Sequence, residues 1–361
     1  MSKAITISLI DGKPGKPGKV YYPIKLQTVP IPTPKQNELL IKVSAAALNH
    51  RDLFIRQHLY PAISFETPLL ADGCGVVISP NSKYSPQRVI LNPGTGWDSD
   101  PLGPEKQAYF ILGGTSSNPL GTLQETLAIA DSEVELAPEH LSDVEAAALP
   151  LTGLTAWRAF NTKSGNAEVG RNILVTGIGG GVAIMVLLFA AAKGCNVFVT
   201  SSSEEKIARA KELGAVGGVN YKDKEWGKNL QKMLPKDRPF LDAVIDGAGG
   251  DIVPRTWKVL KHGGVIVSYG MTVMPQLAFT MQAVMKNIDI RGSTMGSREE
   301  FREMVEYVRQ KKIKPIVDRV VVGIDNVKEI DGLFEDMKKG NQFGKLVIQI
   351  CKSEEGEGSK L

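Results

Sequence analysis

Cysteine is scarce: Cys74, Cys195 and Cys351 are the only three in the 361-residue chain, odd in number and far apart. With no Cys-x-x-Cys pair, neither a disulfide framework nor a four-thiolate zinc knot is expected, and a reducing compartment fits. Histidine is equally thin, and His50, His58, His140 and His262 show no metal-ligand pairing. The longest apolar stretch, Val182 to Ala192, falls short of the ~20 residues that cross a bilayer and reads as a buried helix, so no membrane is expected as a partner. A secretory signal is missing too, since Met1 to Ser8 holds no apolar run behind basic residues; synthesis and folding in the cytosol are expected. Charge of one sign is also absent. The 43 basic and 39 acidic side chains are spread along the chain and leave a net +4, without the clustered basic stripe of a nucleic-acid binder.

What is present suits a globular enzyme. Hydrophobic residues at 42% and charged ones at 23% allow real cores, and the length suits two domains at ~100 to 200 residues each. Up to residue 150, short strand-like runs such as Glu38 to Ala47 and Cys74 to Ile78 are cut by Pro and Gly, with Pro101 to Ser117 as a long loop, which predicts an irregular β-rich domain. From Asn172 the texture changes. Apolar runs at Ile173 to Thr176, Asn196 to Thr200, Ala243 to Asp246, Val265 to Ser268 and Ile288 to Arg291 alternate with helical stretches, Val182 to Lys193 and Glu204 to Leu213 among them. That order builds a doubly wound parallel sheet. Past residue 293 come helices at Glu299 to Lys311 and Asn326 to Lys338 and a closing strand, Lys345 to Ile350. Residues 353–361 are too polar to fold alone and read as a flexible tail.

The run Ile173-Leu-Val-Thr-Gly177-Ile-Gly179-Gly180-Gly181-Val182-Ala183 leaves a strand and enters a helix. Glycines there let the backbone turn sharply and approach a pyrophosphate at the positive helix end, which makes Gly179, Gly180, Gly181 and Val182 candidate cofactor contacts. A strict G-x-G-x-x-G is absent, because Ala183 and Ile178 replace the outer glycines when Gly180 is the central one. Four glycines in five positions cost ~0.5 to 1 kcal/mol each relative to Ala, so a ligand explains them better than a bare turn. Where an NAD enzyme carries an acidic residue for the ribose, the next strand ends in Ser201, Ser202 and Ser203, with Lys206 one turn later. Hydroxyls and a cation in place of a carboxylate favour the 2′-phosphate, hence NADP(H). Ser203 doubles as the cap of the next helix, leaving Ser201 and Ser202 for phosphate, while Lys206 reads equally as a solvated helix residue.

Together with Ala146-Ala-Ala-Leu-Pro150-Leu-Thr-Gly153-Leu-Thr155-Ala-Trp157, Asp242-Ala-Val-Ile-Asp-Gly-Ala-Gly-Gly250 and Gly344-Lys345-Leu-Val, these residues resemble the medium-chain dehydrogenase/reductase superfamily. The resemblance is nearest to its zinc-free quinone-oxidoreductase-like branch, often labelled zinc-type alcohol dehydrogenase-like. It implies a GroES-like β-rich catalytic domain at 1–150 and 294–352, a Rossmann NADP-binding domain at 151–293, and a homodimer joined through the Rossmann sheet edge. Asn49 and Asp52 fall where the alcohol dehydrogenases place Cys and Asp, Ala71 and Asp72 where they place His and Glu, and Leu151 where a third ligand is common. The metal ligands are gone. Catalytic zinc takes three protein ligands, so a zinc-independent enzyme is implied. Tyr60, at a place where related quinone oxidoreductases carry a Tyr facing the nicotinamide, is the implied donor to the substrate oxygen, and Asn49 touches the nicotinamide end. Asp52 holds its loop through a local salt bridge. Thr155, Tyr269 and Gly270 line the nicotinamide pocket and Tyr221 the adenosine side.

The expected function is transfer of a hydride from NADPH to a small-molecule quinone, enone or other activated carbonyl compound. The alternatives are a zinc-type alcohol dehydrogenase and a non-catalytic NADPH-binding sensor or structural protein. The chain ends Ser359-Lys360-Leu361, the signal read by a peroxisomal import receptor, so a peroxisomal address is expected, with the cytoplasm as the alternative.

Overall fold

The computed structural model of the chain describes residues 1–80 and 82–350; the 353–361 tail and the terminal Ser359-Lys360-Leu361 lie outside the described residues. The chain falls into two compact units, Met1–Leu151 with Ser297 onward, and Thr152–Gly296.

In the first unit, seven strands form one sheet. The order runs Val317–Val322, Lys345–Gln349, Glu38–Ala47, Asp72–Val77, Arg88–Leu91, Val134–Leu136, and Thr126–Ala130 also pairs with Glu38–Ala47. Glu38–Ala47 is the spine. Its first half alternates buried and less buried positions, and its second half, Ser44-Ala45-Ala46-Ala47, is buried throughout because small side chains let neighbouring layers close from both sides. Ile41, Val43, Leu91, Phe334 and Ile348 are fully buried in this core. Each such burial stabilises by ~1.5 to 3 kcal/mol. The sequence reading differs at Pro101 to Ser117, where Phe110–Ile111 pairs with Gly94–Thr95 inside the expected loop.

The second unit is a six-stranded parallel sheet in the order Gly217–Asn220, Asn196–Ser201, Asn172–Val175, Leu241–Asp246, Leu260–Ser268, Asp289–Gly292. Numbered along the chain that is 3-2-1-4-5-6, the doubly wound arrangement, whose ligand crevice opens at the strand ends where the order reverses. Leu241–Asp246 is buried at every position, as a parallel strand covered on both faces requires. Helix Gly181–Ala192 buries Ala183 through Leu187, which explains why its apolar run has no polar face. Strand Gly217–Asn220 went unpredicted, since two glycines give it little strand propensity; pairing with Asn196–Ser201 creates it. Gly263 and Gly264 likewise hid the first half of Leu260–Ser268.

Two boundaries differ from the expected 151 and 293. Leu151 goes with the first unit because its N–H donates to Asp72 Oδ1 at 2.7 Å. Residues 294–296 go with the second, where Met295 is buried and its sulfur accepts the Thr155 hydroxyl at 3.6 Å.

Candidate active site

Sheet register assembles the first candidate cluster. Ala47 pairs with Asp72 on one side and Val347 on the other, so Asn49, two residues on, comes level with Lys345. The side chains meet there. Asn49 Nδ2 donates to Asp72 Oδ2 at 2.9 Å, and Lys345 Nζ donates to both Asn49 Oδ1 and Asp72 Oδ2 at 2.7 Å. Asp72 Oδ1 accepts the Leu151 N–H, and the Asp72 carbonyl accepts the Thr122 hydroxyl, each at 2.7 Å. Asn49, Asp72 and Lys345 are 5%, 0% and 4% exposed, a depth at which a lone charge would be very costly and a hydrogen-bonded pair persists.

Chemistry fixes the amide's orientation. An ammonium only donates and a carboxylate only accepts, so Oδ1 faces Lys345 and Nδ2 faces Asp72. One N–H of Asn49 and one of Lys345 remain without a partner among the described residues. The backbone is held as well: Asn49 precedes helix His50–Arg56, and its N–H donates to Asp52 Oδ2 at 2.8 Å. Asp52 also pairs with Arg51 at 3.3 Å. Burial pushes the Asp52 carboxyl up to about 6, while the Arg51 guanidinium and the Asn49 N–H pull the other way.

Tyr60 follows that helix, half-buried, with the Arg51 guanidinium 4.8 Å from its ring centroid. Arg51 is itself locked by the carbonyls of Leu112 and Gly113 at 2.8 and 2.9 Å. Tyr60 and Asn49 thus hang on one helix, but no hydrogen bond joins them among the described residues.

In the second unit the glycine run makes an open cradle. Gly177 and Gly179 have φ of 65° and 123°, which side-chain-bearing residues rarely adopt. A Cβ on Gly177 would meet nothing within 4 Å, and one on Gly180 only the Gly177 carbonyl at 3.8 Å. Gly180 caps helix Gly181–Ala192 without a side chain, so the first helical N–H groups, Gly181 and Val182 among them, stay available to an anion. Thr200, which sequence reasoning passed over, anchors the loop: its hydroxyl accepts the Gly177 N–H at 3.2 Å and its carbonyl the Ile178 N–H at 2.8 Å.

Ser201 ends the adjacent strand, and its carbonyl accepts the Tyr221 N–H at 3.1 Å, which brings these two candidates together. Ser201 is not free, however. It is buried, and its hydroxyl accepts the Ser203 N–H at 3.1 Å, a local turn that leaves only its own proton to give. Ser202 is exposed, Lys206 is half-buried, and Ser203 caps the helix through the Lys206 N–H at 3.3 Å. The Glu204 carboxylate reaches the same strand end, accepting from Asn220 Nδ2 at 3.1 Å.

Tyr269 and Gly270 follow strand Leu260–Ser268, with the Tyr269 N–H on the Asp246 carbonyl at 2.9 Å. Gly247 makes room for that ring, since a Cβ there would lie 2.5 Å from it. Asp246 is buried, and this pushes its carboxyl up although the Thr176 hydroxyl and the Gly249 N–H donate to it at 2.6 and 2.8 Å. Thr155 is buried on helix Pro150–Trp157, its hydroxyl spent on Met295.

Comparison with known proteins agrees with both halves. The family model for the alcohol dehydrogenase GroES-like domain matches residues 35–139, and that for the zinc-binding dehydrogenase matches 181–310. This chain belongs to the medium-chain dehydrogenase/reductase superfamily. Among the superfamily's members, the zinc-type alcohol dehydrogenase-like protein YogA of Leptosphaeria maculans is 57% identical over 94% of this chain and 98% of its own. A second zinc-type alcohol dehydrogenase-like protein, from Schizosaccharomyces pombe, is 34% identical over 87% of this chain and 91% of its own. A crystal structure of an NAD-dependent alcohol dehydrogenase matches with a TM-score of 0.82 at 28% identity, covering 97% of this chain and 100% of that one. The chain is accordingly an oxidoreductase with a GroES-like and a Rossmann part.

The superfamily's zinc does not fit the residues found here. Of the ligand positions, Ala71 and Leu151 have no donor atoms in their side chains, and the Asn49 amide is engaged at both ends. The Lys345 ammonium already bridges Asn49 Oδ1 and Asp72 Oδ2, setting a fixed positive charge against the oxygens a cation would use. Among the described residues no three His, Cys, Asp or Glu side chains could hold a metal ion.

Proposed function

We propose that this oxidoreductase reduces a small activated carbonyl compound, an enone, enoyl thioester or quinone, using NADPH and no zinc. The buried Asn49–Asp72–Lys345 cluster carries this reading, because it sets directed N–H donors where the superfamily resemblance places a metal. Reduction of a conjugated carbonyl builds negative charge on oxygen, which such donors stabilise; stripping a proton from an unactivated alcohol would ask for a metal's Lewis acidity instead. NADPH supplies the hydride when bound. The glycine cradle takes its pyrophosphate, and the strand end at Ser201 and Ser202, with Lys206, takes the 2′-phosphate. Asn49 donates an amide N–H to the substrate oxygen, Tyr60 offers its hydroxyl as a second donor, and water returns the proton.

A relative from Sulfurisphaera tokodaii named acryloyl-coenzyme A reductase, 26% identical over 90% of this chain, acts by its name on a conjugated thioester, which favours the enoyl class. The same reading includes a homodimer along the sheet edge Asp289–Gly292, preceded by the exposed Val273, Met281 and Met285. It also includes a peroxisomal address at Ser359-Lys360-Leu361, outside the described residues. Purified protein mixed with NADPH and a panel of quinones, enones, enoyl thioesters and aldehydes should bleach the near-ultraviolet absorbance of the cofactor with at least one conjugated member. Turnover of simple alcohols alone, or none at all, would overturn the reading. In cells, puncta that vanish on deletion of Leu361 support the address, and diffuse signal with both chains refutes it.

A further inference from the structure

We propose that Lys345 and Asp72 are positioning residues that make the Asn49 amide the electrophile of the site, one of its N–H groups being aimed at the carbonyl oxygen of the substrate. The inference rests on the carbonyl-reductase reading but concerns residues to which that reading gives no separate role. Three observations carry it. Lys345 and Asp72 form a buried ion pair at 2.7 Å, and Asn49 bridges it with both ends of its amide, although an ion pair kept only for packing needs no bridging amide. The bridge removes the amide's rotational choice, because the reversed orientation would set the ammonium against NH2 and the carboxylate against oxygen. Among the described residues one Asn49 N–H has no acceptor.

The two charges act on that donor in opposite senses: the ammonium at 2.7 Å on Oδ1 draws electron density toward oxygen and favours donation, while the Asp72 carboxylate, which takes the other N–H at 2.9 Å, offsets part of this, so the main gain is a fixed direction. A metal ion would polarise a carbonyl directly. Here the fixed ammonium acts one group removed, through Asn49, and the backbone bond from Asn49 to Asp52 keeps the amide from following the substrate. Preorganisation of this kind is what gives a donor its effect on a developing oxyanion.

The test uses the holoprotein with two readouts. Turnover of the best conjugated substrate is compared in wild type, Asn49→Ala, Lys345→Arg and the double variant Lys345→Met with Asp72→Asn, which removes both charges and so avoids the unfolding expected from a stranded buried carboxylate. Asn49→Ala and the double variant should lose about 100-fold or more in kcat, the double variant with little change in NADPH affinity, and Lys345→Arg should stay within about tenfold of wild type. Binding of a small carboxamide, a carbonyl that takes no hydride, is then titrated by calorimetry against each protein saturated with NADPH. It should bind wild type and weaken at least about tenfold in Asn49→Ala and in the double variant. Carboxamide binding that follows this pattern in a wild type that reduces nothing would sink the reductase reading and leave the positioning role standing. Equal kcat in the double variant, equal carboxamide affinity across the series, or no carboxamide binding to wild type overturns the proposal.

Discussion

The two units hold their functional residues by opposite means. In the first, charged side chains are buried in pairs, and the Asn49 amide is clamped between Lys345 and Asp72. In the second, the glycine run contributes backbone and empty space: Gly177 and Gly180 have room for a Cβ and the helix cap has no side chain. A site that must polarise a bond gains from rigidity present before the substrate arrives. A site that must wrap a large anionic cofactor gains from unspent N–H groups and clearance. Perturbing each unit should therefore injure different properties.

The largest effect is expected in the clamped cluster. Lys345→Met leaves Asp72 buried without its cation and should destabilise folding by about 3–5 kcal/mol in denaturant unfolding, while the companion change Asp72→Asn should restore most of that loss. A midpoint unchanged by Lys345→Met would mean that the pair is solvated after all. Next comes the cradle side. Ser201→Asp sets a carboxylate at the strand end and should weaken NADPH by about 30-fold to 1,000-fold, leaving NADH equal or better, while the unfolding midpoint drops somewhat because Ser201 is buried. Equal binding of both cofactors to wild type would refute this reading of the strand end.

A smaller, pH-dependent effect belongs to Asp52. Its folded carboxyl is raised to about 6 by burial, so the folded state holds the proton more tightly than the unfolded one. Stability should then fall as pH rises from about 4 to about 6, by roughly 2–3 kcal/mol from this group, and level off above. Asp52→Asn should flatten that window, and a slope that persists in the variant would assign it to another group.

Local chemistry was legible in the sequence and long-range register was not. The glycine cradle and the helix it starts could be read from one stretch, because turn geometry, capping and helix propensity act within a few residues. Ser203 as a helix cap was legible for the same reason, whereas the bond from its N–H to the Ser201 hydroxyl depends on the turn actually adopted. Lys345 stood in a motif of the family resemblance with no role attached. It lies 296 residues from Asn49, and only the pairing of Lys345–Gln349 with Glu38–Ala47 brings the two together. Nothing local to either residue announces that pairing. Gly247 was similarly visible as part of a motif, yet its purpose, clearance for Tyr269, appears only when the two strand ends lie side by side.

The central claim is that an amide clamped by an ammonium occupies the place of a metal, and metal content measured together with turnover tests it most directly. Protein purified without added chelator should contain no stoichiometric zinc, and its NADPH-dependent reduction should continue undiminished in excess chelator. One zinc per chain, with activity lost on its removal and regained on its return, would contradict the account.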